Sequence, residues 1–125
     1  MPPRKLVLIL DDDNDIREAI RDLLEVEGYG TAEARDGAAG LAYLRSNAQP
    51  GVILLDWNMA PVSGADFMSE FSRDTSLAAI PVVLLTADVR AEPKARAFGV
   101  STHLGKPIDA DRLIAIAARY CGDSP

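Results

Sequence analysis

Val52-Ile53-Leu54-Leu55-Asp56 is an unbroken apolar run that stops at an acid. The run shows no polar alternation, so it suits a strand buried on both faces of a parallel sheet. The same design occurs near the start, where Leu6-Val7-Leu8-Ile9-Leu10 runs into Asp11-Asp12-Asp13. It recurs at Pro81-Val82-Val83-Leu84-Leu85, which ends at Thr86. Proline is tolerated there because it is the first residue of the strand. A short run from Thr102 to Gly105 ends at Lys106-Pro107, and Tyr29 to Ala34 is a weaker strand.

Between these runs the period changes. Ile16, Ala19, Ile20, Leu23 and Leu24 repeat at helical spacing, with Asp13, Asn14 or Asp15 to cap the start and Gly28 to end the helix. Asp36 to Arg45 predicts a second helix, and Phe67, Met68 and Phe71 mark a third. A short helix is expected over Pro93 to Phe98, closed by Gly99. Asp109 caps a last one with Leu113, Ile116, Ala117 and Tyr120 on one face. Strand and helix alternate five times. The expected fold is α/β, a (βα)5 doubly wound five-stranded parallel sheet.

The chain of 125 residues is the size of one domain. A lone cysteine, Cys121, rules out disulfide stapling. The net charge of −6 argues against a nucleic-acid binder with a basic footprint and against docking on an anionic membrane. No apolar run is long enough to span a bilayer, and the first residues are too short for a signal peptide. A cytoplasmic location is the expectation.

In open parallel α/β sheets, ligands bind beyond the carboxyl ends of the strands. Those ends carry Asp11-Asp12-Asp13, Asp56, Thr86 and Lys106. Packed carboxylates repel one another, and a hard cation with oxygen ligands keeps them ionised. Mg²⁺ fits, because it takes one or two carboxylates and pairs with phosphate oxygens. A carboxylate beside such a cation, an ammonium and a hydroxyl is poised to accept a phosphoryl group. Taken singly, each residue has a plainer role. Acids after strands cap helices, Asp ends turns, threonine bonds backbone, and lysine is usually solvated. The conjunction of all four strand ends carries the reading.

These motifs resemble the receiver (phosphoacceptor) domain of two-component response regulators, such as the chemotaxis response regulator. They are Leu-Ile-Leu-Asp11-Asp12-Asp13 with Ile16-Arg17, Val-Ile-Leu-Leu-Asp56-Trp57-Asn58-Met59 through to Gly64, Val-Leu-Leu-Thr86-Ala87, and Gly105-Lys106-Pro107. The resemblance implies a flavodoxin-like sheet of strand order 2-1-3-4-5 and a single receiver domain over residues 1–125, with its core at about 6–121. It implies Asp56 as phosphoacceptor, Asp12 as a direct Mg²⁺ ligand, Asp11 helping through a bound water, and the backbone carbonyl of Asn58 as a further ligand. Thr86 would bond the phosphoryl oxygen and shift on phosphorylation, and Lys106 would pair with the phosphate. The Lys106–Pro107 bond is expected to be cis. Asp13 receives no such role and is read as a helix cap.

The chain departs from the family pattern in places. Ala60-Pro61 stands where proline usually comes one residue earlier, and the Thr86–Gly99 stretch is about two residues short by that pattern. A short, displaced or partly unwound fourth helix is therefore expected. His103 occupies the place of an aromatic switch residue, either as a rotamer switch or as an ordinary strand histidine. An unperturbed histidine titrates near pH 6.5, so its orientation could follow pH. Asn58 and Asp88 fall at positions that modulate phosphoryl lifetime, and both are small enough to leave hydrolysis unobstructed. Trp57 is expected to pack, and its fluorescence to report the site.

The implied function is a stand-alone receiver. It takes a phosphoryl group from a sensor histidine kinase or a His-containing phosphotransfer protein. It then switches a face of the fourth helix, fifth strand and fifth helix toward a downstream protein. It is a switch that catalyses its own phosphoryl uptake and loss, with no direct nucleic-acid contact and no membrane insertion. Only Gly-Asp-Ser-Pro follows Cys121, so output through a partner or a missing segment is expected. A metal-dependent phosphohydrolase of the haloacid dehalogenase type is the rival, since Asp11 and Asp13 meet its Asp-x-Asp spacing; Asp15 and the lack of a cap region weigh against it. A flavodoxin-like cofactor binder would want a Gly/Ser/Thr-rich loop where the acids stand. A binding module with a dead site would not need the full acid, hydroxyl and lysine set.

Overall fold

The computed structural model describes residues 5–122. Five strands alternate with five helices: β1 Val7–Leu10, α1 Asn14–Val26, β2 Thr31–Ala34, α2 Gly37–Ser46, β3 Val52–Asp56, α3 Gly64–Arg73, β4 Val82–Thr86, α4 Ala91–Arg96, β5 Thr102–Gly105 and α5 Ala110–Cys121. The strands form one parallel sheet in the order β2-β1-β3-β4-β5, as expected.

Strand alternation divides the core into two layers. Leu8, Leu10, Ile53, Leu55 and Leu84 point to one face, where Leu41, Leu44, Phe67, Met68, Phe71, Ala91 and Ala95 of α2, α3 and α4 cover them. Val7, Ile9, Leu54, Val83, Leu85 and Leu104 point to the other, beneath Ile20 and Leu24 of α1 and Leu113, Ala117 and Cys121 of α5. Both faces of the central strands are therefore dry, which is why their sequences are apolar throughout. Leu104 faces α1 and α5, so its neighbour His103 faces α4.

Element ends follow local chemistry. Asp13, Asp36, Ser63 and Asp109 cap α1, α2, α3 and α5, each side chain accepting one or more backbone N–H groups of its first turn. Asp36 thus precedes α2 as its cap. Tyr29 lies outside β2; it is buried against the α1–α5 layer and its hydroxyl donates to the Gly122 carbonyl at 3.1 Å. The fourth helix is short, with six residues and no side-chain cap at Arg90. Pro93 is its third residue, where a missing N–H leaves no helical bond unmade. Gly99, at φ +87°, ends that segment.

Candidate functional site: an acidic cleft at the carboxyl edge

Register assembles the site. Leu10 pairs with Leu55, so Asp11 emerges beside Asp56 at the end of β3. Thr86 at the end of β4 pairs with Gly105, and Lys106 follows. The Lys106 N–H donates to the Thr86 carbonyl at 3.2 Å. The resulting open cleft, of about 370 Å³, is lined by Asp11, Asp12, Asp13, Ile16, Asp56, Asn58, Thr86, Ala87, Asp88 and Lys106. Every predicted site residue except His103 is in that lining.

Burial distinguishes this edge from a solvated acidic surface. Among the described residues the buried polar or charged side chains are Asp11, Asp36, Asp56 and Thr86. Asp36 is spent on capping α2. The other three converge here. Asp11 Oδ1 accepts the Asp13 N–H at 2.9 Å, and its Oδ2 lies 2.9 Å from Lys106 Nζ. That second contact is an ion pair without a directed hydrogen bond, so Asp11 Oδ2 remains a buried oxygen lacking one. Lys106 Nζ is 3.6 Å from Asp56 Oδ2, and the Asn58 N–H donates to Asp56 Oδ1 at 3.3 Å.

One ammonium does not balance the acids. Burial first, then the charge of Asp11 and to a lesser degree Asp12, pushes the Asp56 carboxyl from 3.8 up to about 6, against the pull of Lys106 and the Asn58 N–H. Asp11, Asp12 and Asp56 each offer an oxygen, and these lie within 4.8 Å of one another. A hydrogen-bond-deficient buried oxygen and an oxygen-only donor set of this kind fit a hard divalent cation such as Mg²⁺.

Thr86 Oγ1 accepts the Asp88 N–H at 2.9 Å, while its own bond to the Asp88 carbonyl is 3.5 Å, at the limit of a hydrogen bond. The Asp88 carboxylate is turned to Arg90, whose guanidinium holds it below the usual carboxylate range. Trp57 is buried, with Phe98 tilted against it at 6.2 Å between ring centroids. Both Lys106–Pro107 and Ala60–Pro61 are cis. The first agrees with expectation; the second was not foreseen.

His103 stands apart from the cleft. Its Nε2 lies 2.9 Å from Glu92 Oε1 on α4, and its carbonyl accepts Arg112 of α5 at 3.0 Å. One residue of β5 thereby touches both flanking helices.

Two supporting residues had no role in the sequence reading. The Arg17 guanidinium donates to the Asp11 carbonyl at 2.7 Å, contacts the Asn14 side chain and pairs with Glu33 of β2. Gly64 backs the end of β3: a Cβ there would sit 2.7 Å from Trp57 Cα and 2.9 Å from the Asp56 carbonyl oxygen. Both occur in the quoted motifs, which was the available signal, but only tertiary structure shows what they touch.

A doubly wound parallel sheet with a cation-ready acidic cleft at its carboxyl edge defines a flavodoxin-like α/β module. The chain belongs to the response regulator receiver domain family, whose model matches residues 7–118. Members of this family are signalling switches that accept a phosphoryl group and work with histidine kinases. The polar-differentiation response regulator DivK of Brucella anthropi is 33% identical over 122 residues, 96% of this chain and 98% of that protein. The DNA-binding dual master transcriptional regulator RpaA of Synechocystis is 36% identical over 111 residues, 87% of this chain but 46% of that protein. Among solved structures, the chemotaxis protein CheY4 of Vibrio cholerae superposes with a TM-score of 0.84 at 27% identity, covering 94% of this chain and 98% of that one. No helix among the described residues is long and apolar enough to cross a membrane.

Proposed function

We propose that this chain is a receiver switch, a single domain over residues 1–125 with its core at about 6–121, that accepts a phosphoryl group on Asp56 from a histidine kinase or a His-containing phosphotransfer protein. The observation that carries this is the convergence of Asp11, Asp12 and Asp56 around Lys106, 2.9 Å from Asp11 and 3.6 Å from Asp56. An Asp56 oxygen attacks phosphorus, a P–O bond forms, and the P–N bond to the donor imidazole breaks. Asp11, Asp12, Asp56 and the Asn58 carbonyl would hold Mg²⁺, which supplies charge neutralisation at the phosphoryl oxygens when bound.

The chain's own groups do the rest. Lys106 moves its charge from the carboxylates to the incoming oxygens. The Thr86 hydroxyl proton, weakly held by the Asp88 carbonyl, is free to turn toward them. That turn draws in the β4–α4 segment and shifts the equilibrium of the α4–β5–α5 face toward its partner-binding state. Water re-enters past Asn58 and Asp88, and their small size leaves autohydrolysis open. A cytoplasmic setting suits a kinase-fed switch.

Trp57 provides the direct test, since it adjoins Asp56 and is the chain's one tryptophan. Titration with Mg²⁺ and then beryllofluoride should change its emission in two saturable steps. Flat emission through both would overturn the proposed site.

The Glu92–His103 contact supports His103 as the second switch residue, because it fastens α4 to β5. The contact is a salt bridge only while the imidazole is protonated. Part-exposed pairs of this kind are worth roughly 0.5–1 kcal/mol, a two- to fivefold shift in a two-state equilibrium. His103→Ala and Glu92→Gln should each change the rate of labelling by acetyl phosphate by about that factor, and the double variant no further. Additive effects, or none, would remove His103 from the switch.

A further inference from the structure

We propose that Arg17 is a positioning residue that makes the acidic cleft select Mg²⁺ over Ca²⁺, by locking the peptide that joins Asp11 to Asp12. This rests on the reading of those two acids as part of the cation site, and it names the group behind the cleft that sets which cation the cleft prefers.

The lock lies in the backbone just past the end of β1. The Asp11 N–H donates to the Ala34 carbonyl of β2 at 3.2 Å. The Asp13 N–H donates to Asp11 Oδ1 at 2.9 Å. Between them, the Asp11 carbonyl accepts from Arg17 Nη1 at 2.7 Å. That carbonyl shares one rigid plane with the Asp12 N–H. Turning the plane swings Asp12 relative to Asp11, and with it the placement of two carboxylates whose oxygens lie within 4.8 Å of each other and of Asp56. Arg17 holds the plane still.

The guanidinium is itself immobilised. Its Nη2 donates to the Asn14 side chain, and its Nε donates to Glu33 Oε1 at 3.4 Å. All three nitrogens are engaged, and the side chain is only 14% exposed. The other Glu33 oxygen pairs with Arg21 Nη1 at 3.4 Å, so one carboxylate ties two arginines of α1 to β2. A planar fork of fixed donors suits such a clamp, which a single flexible ammonium does not reproduce. A guanidinium is no cation ligand, so its influence on a bound metal passes through Asp11 and Asp12.

Rigidity matters differently to two hard cations. Mg²⁺ demands near-ideal octahedral geometry, whereas Ca²⁺ accepts variable coordination at longer distances. Loosening the Asp11–Asp12 peptide therefore weakens Mg²⁺ binding more than Ca²⁺ binding. Charge works in the opposite direction. Arg17 places a positive charge behind the acids, so its removal should, by electrostatics alone, strengthen the binding of both cations alike. Positioning and charge thus predict changes of opposite sign.

The test titrates the metal-free full chain with Mg²⁺ and, separately, with Ca²⁺, read by Trp57 emission. In Arg17→Met, Mg²⁺ affinity should fall about tenfold, the usual scale for losing a group that orients a metal ligand, and Ca²⁺ affinity by less than about threefold. Glu33→Gln weakens the anchor on Nε and leaves the bond to Asp11, so it should shift the selectivity the same way by a smaller factor. Arg17→Lys keeps the charge and one donor and should recover part of the Mg²⁺ preference. Equal losses for both cations, tighter binding of both in Arg17→Met, or wild-type selectivity in that variant would each overturn the proposal. Should Arg17→Met fail to fold, wild-type selectivity in Glu33→Gln overturns it instead. Labelling by acetyl phosphate is followed in parallel. A wild type that binds Mg²⁺ yet takes no label defeats the switch reading, while the selectivity ratio still decides on Arg17. A wild type whose emission responds to neither cation overturns both.

Discussion

Asp56→Ala and Asp56→Asn will take up no label from acetyl phosphate, while the wild type becomes labelled in Mg²⁺ and loses that capacity in EDTA. The reason lies in what each acid touches. Asp11 is fully buried, with one oxygen on the Asp13 N–H and the other against Lys106. Its geometry suits holding a cation and leaves no path for an incoming phosphoryl group. Asp12 is exposed and has no lysine beside it. Asp56 alone combines a position beside the other acids, a lysine at 3.6 Å and a hydroxyl-bearing strand end next to it. An amide at this position retains the shape and removes the nucleophile. Label retained at wild-type stoichiometry on either variant would mean that Asp56 is not the acceptor.

The second large effect is on stability. Without metal, the folded state raises the Asp56 carboxyl from 3.8 to about 6, so folding is linked to proton uptake. The sign follows directly. A group whose folded pKa is raised contributes stability that is complete below its unfolded value and lost as pH rises through its folded value. Between about pH 4 and pH 6 the metal-free wild type should therefore lose on the order of 2–3 kcal/mol from this one group. Asp56→Asn lacks that loss. Its melting temperature should exceed the wild type's by several degrees at about pH 7.5 and by about half as much near pH 5. Mg²⁺ should narrow the gap at neutral pH, because a cation that binds the folded wild type stabilises it by mass action. Thermal melts of both proteins with Mg²⁺ and with EDTA, at both pH values, decide it. Parallel curves for wild type and variant across pH would show that Asp56 is not held under charge stress.

Much of this architecture was legible because burial on both faces leaves a plain signature. Val52–Leu55 and Leu6–Leu10 read as strands for the same reason they are dry, and the acids that stop them mark the edge where the cleft forms. Capping residues were readable where a short polar side chain precedes a periodic run, as at Asp13 and Asp109. Boundaries were less so: Tyr29 looks strand-like because it is apolar, yet its burial is earned by packing on α1 and α5. The short α4 was anticipated, but it begins at Ala91, two residues before Pro93, since proline fits anywhere in a first turn. Contacts between distant residues were out of reach. Nothing in the period of either element says that Glu92 meets His103, that Arg17 reaches the Asp11 carbonyl, or that Gly64 backs Asp56. Those distances depend on register and helix placement, which a linear pattern does not encode.

The last rung of the β4–β5 ladder joins Thr86 to Lys106 through a single backbone hydrogen bond. The strand ends that carry the hydroxyl and the ammonium of the proposed phosphoryl site are thus wired in parallel, and neither backbone can shift without pulling on the other. For anyone rewiring this protein, the transplantable cassette is then the β4–β5 pair with its intervening helix, carried whole. Grafting either strand end alone would join a new sensor to an old lever.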